Sequence, residues 1–314
     1  MTRSILIRIL TALLVLWLVS LLIFTATQVL PGDAAQAILG RDATPERLAA
    51  LRRQLNLEQG LVQQYLGWLG GMLSLDPGNS LANGRPVVEM IGPRIFNSMV
   101  LVVLAACVAI PLSLLVGTVA AVRRDGVFDA GSSLATLVIA ALPEFVLAMS
   151  LTLLLSTGLL NLLPATSVQT PILSAPSQLV LPVTTLALTI SPYMIRMARA
   201  SIIEVLNSDF IQHARLSGVS EQRVVLRYGI PNILAELVQV VALQLAYLAG
   251  GVVVVEYVFA FPGLGTALVD AVSSRDLPVI QAICLFIATF YIVVNLVADG
   301  VSALVNPRAR ARGA

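Results

Sequence analysis

The sequence contains no lysine, since all nineteen of its basic residues are arginines, and it contains one histidine and two cysteines. Without lysine there is no Walker A loop, which needs Gly-Lys-Ser/Thr to hold nucleotide phosphates. The single histidine, His213, cannot supply the paired ligands of a metalloprotease. It also lies outside the apolar runs in which an intramembrane Ser-His protease would need its base. We therefore expect no enzymatic activity, cofactor or metal in this chain.

Charge is equally scarce, because only 11% of the 314 residues are charged and 58% are hydrophobic. Soluble domains average about 25% charged residues. The composition therefore indicates an integral membrane protein, and a net charge of +2 gives no sign of nucleic-acid binding. Cys107 and Cys284 each lie in an apolar run, so we interpret them as packing residues rather than disulfide or metal-site thiols.

Six apolar runs predict an all-α membrane protein with six transmembrane helices, since each can cross much or all of a hydrocarbon core of about 30 Å. A signal peptide is the alternative for the first run, but its apolar part would be shorter. The distribution of arginines is consistent with both termini in the cytoplasm, according to the positive-inside rule. The predicted spans cover residues 9–30, 99–122, 134–163, 179–195, 233–255 and 279–305.

The polar segments divide the chain further. We assign 1–30 to a cytoplasmic N-terminus and helix 1, 31–96 to an extracytoplasmic loop region, 97–305 to the core, and 306–314 to a cytoplasmic tail. Within the long loop, the spacing of leucines predicts amphipathic helices over 44–55 and around 62–69. A turn is expected at 76–78, where the sequence reads Asp-Pro-Gly.

A polar insert at 208–231 separates the predicted spans four and five. Ser208 can cap a helix over 209–217, and Gly218 suits the left-handed residue that ends it. Ser220 can cap a second helix, which Gly229 and Pro231 would stop before the next apolar run. We therefore predict a helix, a glycine turn and a second helix.

This insert resembles the cytoplasmic signature loop of ABC-importer permeases, which reads Glu-Ala-Ala, three residues, Gly, nine residues, Ile-x-Leu-Pro. Gln212 and His213 replace the Glu and the first Ala, and Tyr228 replaces the Ile, as in the branch that imports peptides, nickel and opines. The alternative is an ordinary loop helix with a glycine stop. The resemblance implies these ATPase-coupling residues: Gln212, His213, Ala214, Arg215, Gly218, Ile230 and Pro231.

Two further stretches carry the same resemblance. The run Glu256–Gly265 (EYVFAFPGLG), followed by Arg275–Val279 (RDLPV), is similar to the family's outer re-entrant segment between its last two helices. Landmarks between residues 24 and 87, including Leu30–Asp33 and Arg85–Val87, are similar to the N-terminal third of dipeptide and oligopeptide permeases. The resemblance thus covers both halves of the chain.

The resemblance implies a bacterial inner-membrane location and several partners: a second, homologous permease subunit, two cytoplasmic ATPase subunits that bind ATP and Mg²⁺, an extracytoplasmic solute-binding protein, and membrane lipid. The expected function is translocation of di- and oligopeptides by alternating access. Nickel chelates, opines or glutathione are alternative substrates. A stand-alone secondary transporter is an alternative of a different class.

Polar residues inside the spans mark a candidate translocation path, because a carboxylate near a span centre costs about 2.5–3.5 kcal/mol on insertion scales. Glu144 could meet a cationic amino terminus or a metal ion on that path. Alternatively, it could form a helix-helix hydrogen bond or be protonated in an apolar pocket. Glu236, Gln239 and Gln244 in span five are expected to line the pore or a subunit interface.

Overall fold

The computed structural model describes residues 2–29, 44–46, 49, 60–157, 161–168 and 170–305 of the chain. Within these residues the regular structure is helical, apart from one β-bridge between Asn79 and Pro86. This confirms the all-α class. The predicted helix over 44–55 and the tail at 306–314 fall largely or wholly outside the described residues.

The α-helices are numbered in chain order. The α-helices are α1 Thr2–Val29, α2 Leu61–Leu73, α3 Val87–Val122, α4 Val127–Ala141, α5 Glu144–Thr152, α6 Ser177–Leu206, α7 Asp209–Leu216, α8 Glu221–Arg223, α9 Ile230–Val258, α10 Leu264–Ser274 and α11 Leu277–Val305. Two π-helical segments extend α5 and join α8 to α9, and they cover Leu153–Thr157 and Val224–Gly229.

Four helices (α1, α3, α6 and α11) are each long and apolar enough to cross a bilayer. The α4–α5 pair also qualifies as one span, although it bends by 105° at Leu142 and Pro143. The stretch from α8 into α9 forms a second bent pair with an angle of 56°. Counting each bent pair as one span gives six, the number predicted from the sequence.

Helices α3 and α6 form the centre of the bundle. They approach closely at Gly117, where a Cβ atom would lie 2.8 Å from the Ala198 Cβ and 2.9 Å from the Ile195 carbonyl oxygen. Small residues allow such close helix contacts in membranes, where packing is a main source of helix association. The main apolar core is contributed largely by α3, α6 and α9 and includes Leu101, Leu186 and Leu248.

Helix α3 begins at Val87 rather than at the predicted Met99. The sequence pattern indicates a later start for this helix because Arg94, Asn97 and Ser98 are polar. Their partners lie far away in the chain: the Asn97 side-chain amide, for example, donates to the Pro262 carbonyl at 2.8 Å. Tertiary hydrogen bonds thus allow a helix where composition indicates a loop.

Helix α6 likewise continues to Leu206, beyond the predicted end at Ile195. Arg199 makes a bidentate ion pair with Asp129 at the start of α4, with N···O distances of 2.5 and 2.7 Å. The Asp125 backbone N–H also donates to the Asp129 carboxylate, at 3.0 Å. Because Asp129 is buried, this pairing satisfies a carboxylate that α4 would otherwise leave without a partner.

The predicted stop at Gly229 and Pro231 is wrong, because α8 runs through the π-helical segment directly into α9. The Ile230 N–H donates to the carbonyl of Val225, five residues back. Pro231 then falls in the first turn of α9, where its missing N–H costs no intrahelical bond.

Ser208 and Ser220 occupy the N-cap positions of α7 and α8 with extended backbone, as predicted. Neither side chain makes a capping hydrogen bond, however. The Ser208 hydroxyl instead donates to the Val205 carbonyl. The helix starts are thus placed by backbone geometry rather than by serine side chains.

The two ends of the bundle differ, and we call them the α7 end and the α10 end. At the α10 end, Asp276 accepts hydrogen bonds from the Leu81 N–H, at 3.0 Å, and from the Ser80 hydroxyl. These bonds anchor the loop between α2 and α3, including the predicted turn, where Gly78 has a φ of +83°. At the α7 end, Arg8 pairs with Asp299 at 3.0 Å.

Candidate functional site

Helix α7 ends in the glycine turn that the sequence predicts. Gly218 has a φ of +79°. Its N–H donates to the Arg215 carbonyl at 3.0 Å, and the Val219 N–H donates to the Ala214 carbonyl at 3.1 Å. This is the bonding pattern of a Schellman C-cap, which favours glycine. A Cβ atom at Gly218 would meet no other atom within 4 Å. Glycine is therefore favoured here by the backbone conformation and not by close packing.

One face of α7 is buried against the ends of three longer helices. Ile211 is fully buried and packs in a cluster with Ala121 of α3, Ile202 of α6 and Ile233 of α9. The outer surface exposes two large apolar side chains, Phe210 at 45% and Leu216 at 85%. Helix α7 is therefore fastened to the bundle on one side and presents an uncovered surface on the other. Three signature residues on that uncovered surface are exposed: Gln212, His213 and Arg215.

Arg215 joins α7 to α8. Its guanidinium makes a bidentate pair with Glu221, with N···O distances of 3.0 and 2.6 Å. A third hydrogen bond reaches the Leu206 carbonyl at the end of α6, at 3.2 Å. The hydrogen bond from Arg215 lowers the pKa of Glu221, and the carboxylate in turn raises the pKa of Arg215. The pair therefore cross-links the glycine turn that lies between its members.

The lowered pKa of Glu221 predicts a local pH dependence. A carboxyl group whose pKa falls on folding stabilises the folded state above its unfolded pKa, about 4.3 for glutamate. That contribution is lost as the pH falls through the lower folded value. We expect amide-exchange protection factors of α7 to fall below about pH 4, and Glu221→Gln to show the lower protection already at pH 7. Both members are substantially exposed, so the change should be small. Equal protection in both proteins at pH 7 would contradict the cross-link.

One face of α9 consists of seven residues, four of them polar, that the described parts of the chain leave largely exposed. Its members recur every three or four residues, which places them on one side of a helix. Glutamate, glutamine and tyrosine on such a face are costly against lipid, so the face is suited to an aqueous path or another subunit. We call this face the α9 stripe, and it comprises the exposed residues Glu236, Gln239, Leu243, Tyr247, Gly250, Val254 and Tyr257.

The four predicted path residues do not all lie on the same surface. Glu236 and Gln239 lie on the α9 stripe, and Glu144 lies beside its middle, against Tyr247 and Gly251. Gln244 is half-buried and lies about 80° around the helix from Glu236, at 3.6 residues per turn. Three of the four residues thus share one surface, and Gln244 is outside it.

Two cavities lie along the α9 stripe. The larger, of about 1000 Å³, is bordered by α1, α5, α9 and α11, and its walls are apolar except near Glu144, Tyr247 and Tyr291. The smaller, of about 320 Å³, includes Gln239 and Asp299 nearer the α7 end. Sequence reasoning missed the two tyrosines. Helical spacing from Glu236 was the available signal for Tyr247, whereas Tyr291 is brought in only by tertiary packing.

The role of Glu256 was also missed. Its side chain is fully buried, and its carboxylate accepts hydrogen bonds from the Ser98 hydroxyl and the Gly265 N–H, each at 2.5 Å. The Leu264 N–H donates to the Ser98 hydroxyl oxygen at 2.8 Å. These contacts satisfy backbone amides at the start of α10, which a helix cannot pair internally. The re-entrant motif therefore joins α3, α9 and α10 through one carboxylate.

Comparisons with known proteins cover nearly the whole chain. Residues 109–311 match the family described as "Binding-protein-dependent transport system inner membrane component", and residues 1–101 match its N-terminal counterpart. A Brucella abortus (strain 2308) protein named as a peptide transport system permease is 36% identical over 99% of both chains. The Escherichia coli (strain K12) protein named glutathione transport system permease protein GsiC is 36% identical over 96% of this chain and 97% of its own.

A solved structure is similar in fold. It is titled as inward-facing conformations of the MetNI methionine ABC transporter. The matched chain has a TM-score of 0.55 and 15% identity, over 70% of the present chain and 97% of its own. At that identity the similarity concerns the fold alone. The extent of the family match and of the relatives shows that this chain belongs to the binding-protein-dependent transport system inner membrane components and is a multi-pass permease subunit of an ABC importer.

Proposed function

We propose that this permease subunit carries di- and oligopeptides across the bacterial inner membrane. The observation that carries the proposal is the α9 stripe, a polar surface running along a membrane-crossing helix beside two cavities. The names of the relatives, which include peptide transport, support this class of substrate. ATP-dependent uptake of a labelled dipeptide into proteoliposomes that contain the full complex tests it. Uptake driven by an ion gradient without ATP would instead favour a secondary transporter.

The proposed complex contains four kinds of component. Energy has to come from other subunits, because the chain has no lysine for a Walker A loop. Two cytoplasmic ATPase subunits would bind ATP and Mg²⁺ and dock on α7. A homologous second permease subunit would face the α9 stripe, and an extracytoplasmic solute-binding protein would deliver substrate at the α10 end.

Mechanical coupling follows from the packing of α7. A displacement imposed on its exposed side is transmitted through Ile211 to α3, α6 and α9, because closely packed side chains transmit strain. Helix α9 carries the stripe towards the α10 end. Motion at the ATPase contact would therefore change the path that the stripe lines.

Replacing Gly218 with valine should uncouple transport. A β-branched residue at φ +79° costs on the order of 1–2 kcal/mol, and this strain falls on the turn between α7 and α8. We expect normal membrane insertion, but weaker ATPase docking or ATP hydrolysis without peptide uptake. Gly218→Asn is the matched control, because asparagine tolerates the left-handed region. Wild-type uptake and wild-type ATPase binding in Gly218→Val would remove the assignment of 208–231 as the coupling loop.

The proposed orientation is tested by cysteine labelling. In a Cys107→Ala, Cys284→Ala background, we introduce Ala82→Cys at the α10 end or Gln222→Cys at the α7 end, both at exposed positions. A membrane-impermeant maleimide added to intact cells should label only the first. Both should react after permeabilisation, and the cysteine-free background is the control. Labelling of Gln222→Cys in intact cells would reverse the orientation.

Glutathione is a second candidate substrate. It is a peptide-like molecule, and the name of the Escherichia coli relative assigns it to that transporter. Competition in the proteoliposome assay separates the two proposals. Uptake of labelled dipeptide that excess unlabelled glutathione leaves unchanged would indicate peptides as the substrate. Uptake of labelled glutathione that excess unlabelled dipeptide leaves unchanged would indicate glutathione.

A further inference from the structure

We propose that Glu144, together with Tyr247 and Tyr291, forms a binding site for a primary ammonium group that is attached to an apolar body. In a peptide importer this would be the free amino terminus beside an apolar first side chain. The inference rests on the proposed function and adds a recognition step to it. It assigns a chemical preference to the permease itself, separate from that of the solute-binding protein.

The break between α4 and α5 places the carboxylate. The chain turns by 105° at Leu142 and Pro143, so that Glu144 becomes the first residue of α5 and enters the larger cavity. Its oxygens lie over the backbone of Gly251, where a Cβ atom would come within 2.6 Å of Oε1 and 2.8 Å of Oε2. The Tyr247 hydroxyl interacts with the same carboxylate. The carboxylate therefore lies against Tyr247 and Gly251 of α9 and still borders open space.

The site lies away from the ends of α9. Tyr247 is roughly 16 Å along α9 from its last residue, Val258, at 1.5 Å per residue, and the helix is long enough to cross a hydrocarbon core of about 30 Å. A carboxylate at such a position is costly against lipid, but the amino-terminal end of α5 favours negative charge. A cation from the translocated molecule would neutralise the negative charge of the Glu144 carboxylate.

The lining favours an organic cation over a metal ion. No group of three or more His, Cys, Asp or Glu residues gathers anywhere in the described parts of the chain, and a divalent ion needs several such ligands. Tyr247 and Tyr291 instead offer phenol rings, which attract ammonium groups through their faces. Aliphatic residues of α1 and α11 form much of the remaining wall, and they can accept an apolar side chain.

The first experiment probes the site in the wild-type complex. A hydrophobic carbodiimide should label Glu144 in the wild-type complex in lipid nanodiscs, as read by mass spectrometry. Labelling is counted as all modified Glu144, which includes both the N-acylurea and any amide formed with an added amine. Phenylalaninamide, which is cationic, should slow the appearance of this total, whereas N-acetylphenylalaninamide, which is neutral, should not. Equal effects of the two probes, or a Glu144 that never reacts, would overturn the proposal. Glu144→Gln identifies the labelled peptide.

The second experiment measures transport by the full complex. We expect Glu144→Gln to lower ATP-dependent dipeptide uptake by about tenfold (about 1.4 kcal/mol), with assembly intact. Glu89→Gln, at an exposed glutamate of α3 away from the cavity, should have no effect. Wild-type uptake by Glu144→Gln would refute the recognition step while leaving the proposed function standing. A wild-type complex that moves no peptide would refute the proposed function, and the labelling result would then stand alone.

Discussion

Replacing Gly263 with alanine is expected to disrupt the α10 end of the protein. A Cβ atom at this position would lie 2.1–2.3 Å from the three carboxylate atoms of Glu256, which is far inside van der Waals contact. The carboxylate cannot move away without giving up its bonds to Ser98 and Gly265. A buried donor or acceptor that is left without a partner costs about 1–3 kcal/mol, so the loss should be several kcal/mol. Thermal unfolding in detergent should show a large drop in Tm and poor recovery of the folded protein.

A double-mutant cycle separates the collision from a general effect of alanine. Glu256→Ala is itself destabilising, because it leaves buried backbone amides of α10 without an acceptor. Adding Gly263→Ala in that background should cost little more, since the colliding group is gone. Strictly additive losses would mean that the carboxylate is not the obstacle.

The second large effect is expected at Gly117, in the contact between α3 and α6. Valine would place its Cβ 2.8 Å from the Ala198 Cβ, 2.9 Å from the Ile195 carbonyl oxygen and 3.2 Å from the Arg199 backbone nitrogen. These atoms belong mostly to the backbone and cannot rotate away. Overpacking of this kind costs about 1–3 kcal/mol, and here it would also separate the two central helices. We expect loss of assembled complex rather than loss of coupling.

Gly92→Val is the matched control for Gly117→Val. Both glycines lie in α3, so the effect of valine on helix propensity is similar, but a Cβ at Gly92 would meet no atom within 4 Å. Complex yield by size-exclusion chromatography should fall only for the Gly117 variant. Equal yields for the two variants would contradict the close approach of α3 and α6.

The membrane class and the spans could be predicted because they depend on the length of apolar runs, which is a local property. The glycine turn at Gly218 could be predicted for the same reason, because it depends on residues that are adjacent in the sequence. The true start of α3 and the continuation of α6 could not be predicted. Their polar residues, such as Asn97 and Arg199, are satisfied by partners that lie far away in the sequence. Composition alone cannot distinguish a satisfied polar residue from a solvated one.

The path itself stays a prediction, and the surface that three of its four residues share could not be predicted from the sequence, for the same reason. Glu144 was evident as a charge within an apolar run, and Glu236 and Gln239 as polar residues of span five. Their common surface depends on the bend at Pro143 and on helix packing, which also excludes Gln244. The continuation of α8 into α9 depends on π-helical hydrogen bonds, which no residue pattern at Gly229 and Pro231 reveals.

The π-helical segment makes the length of the connection between α7 and α9 critical. Its hydrogen bonds reach five residues back, so the segment holds an extra residue compared with an α-helix. The segment thus already takes up one additional residue, and a further inserted residue would rotate α7 by about 100° relative to the α9 stripe, at 3.6 residues per turn. Surface loops normally tolerate insertions and deletions. At this junction a single inserted residue would turn the exposed surface of α7, the proposed ATPase contact, away from its partner while every signature residue remained in the chain.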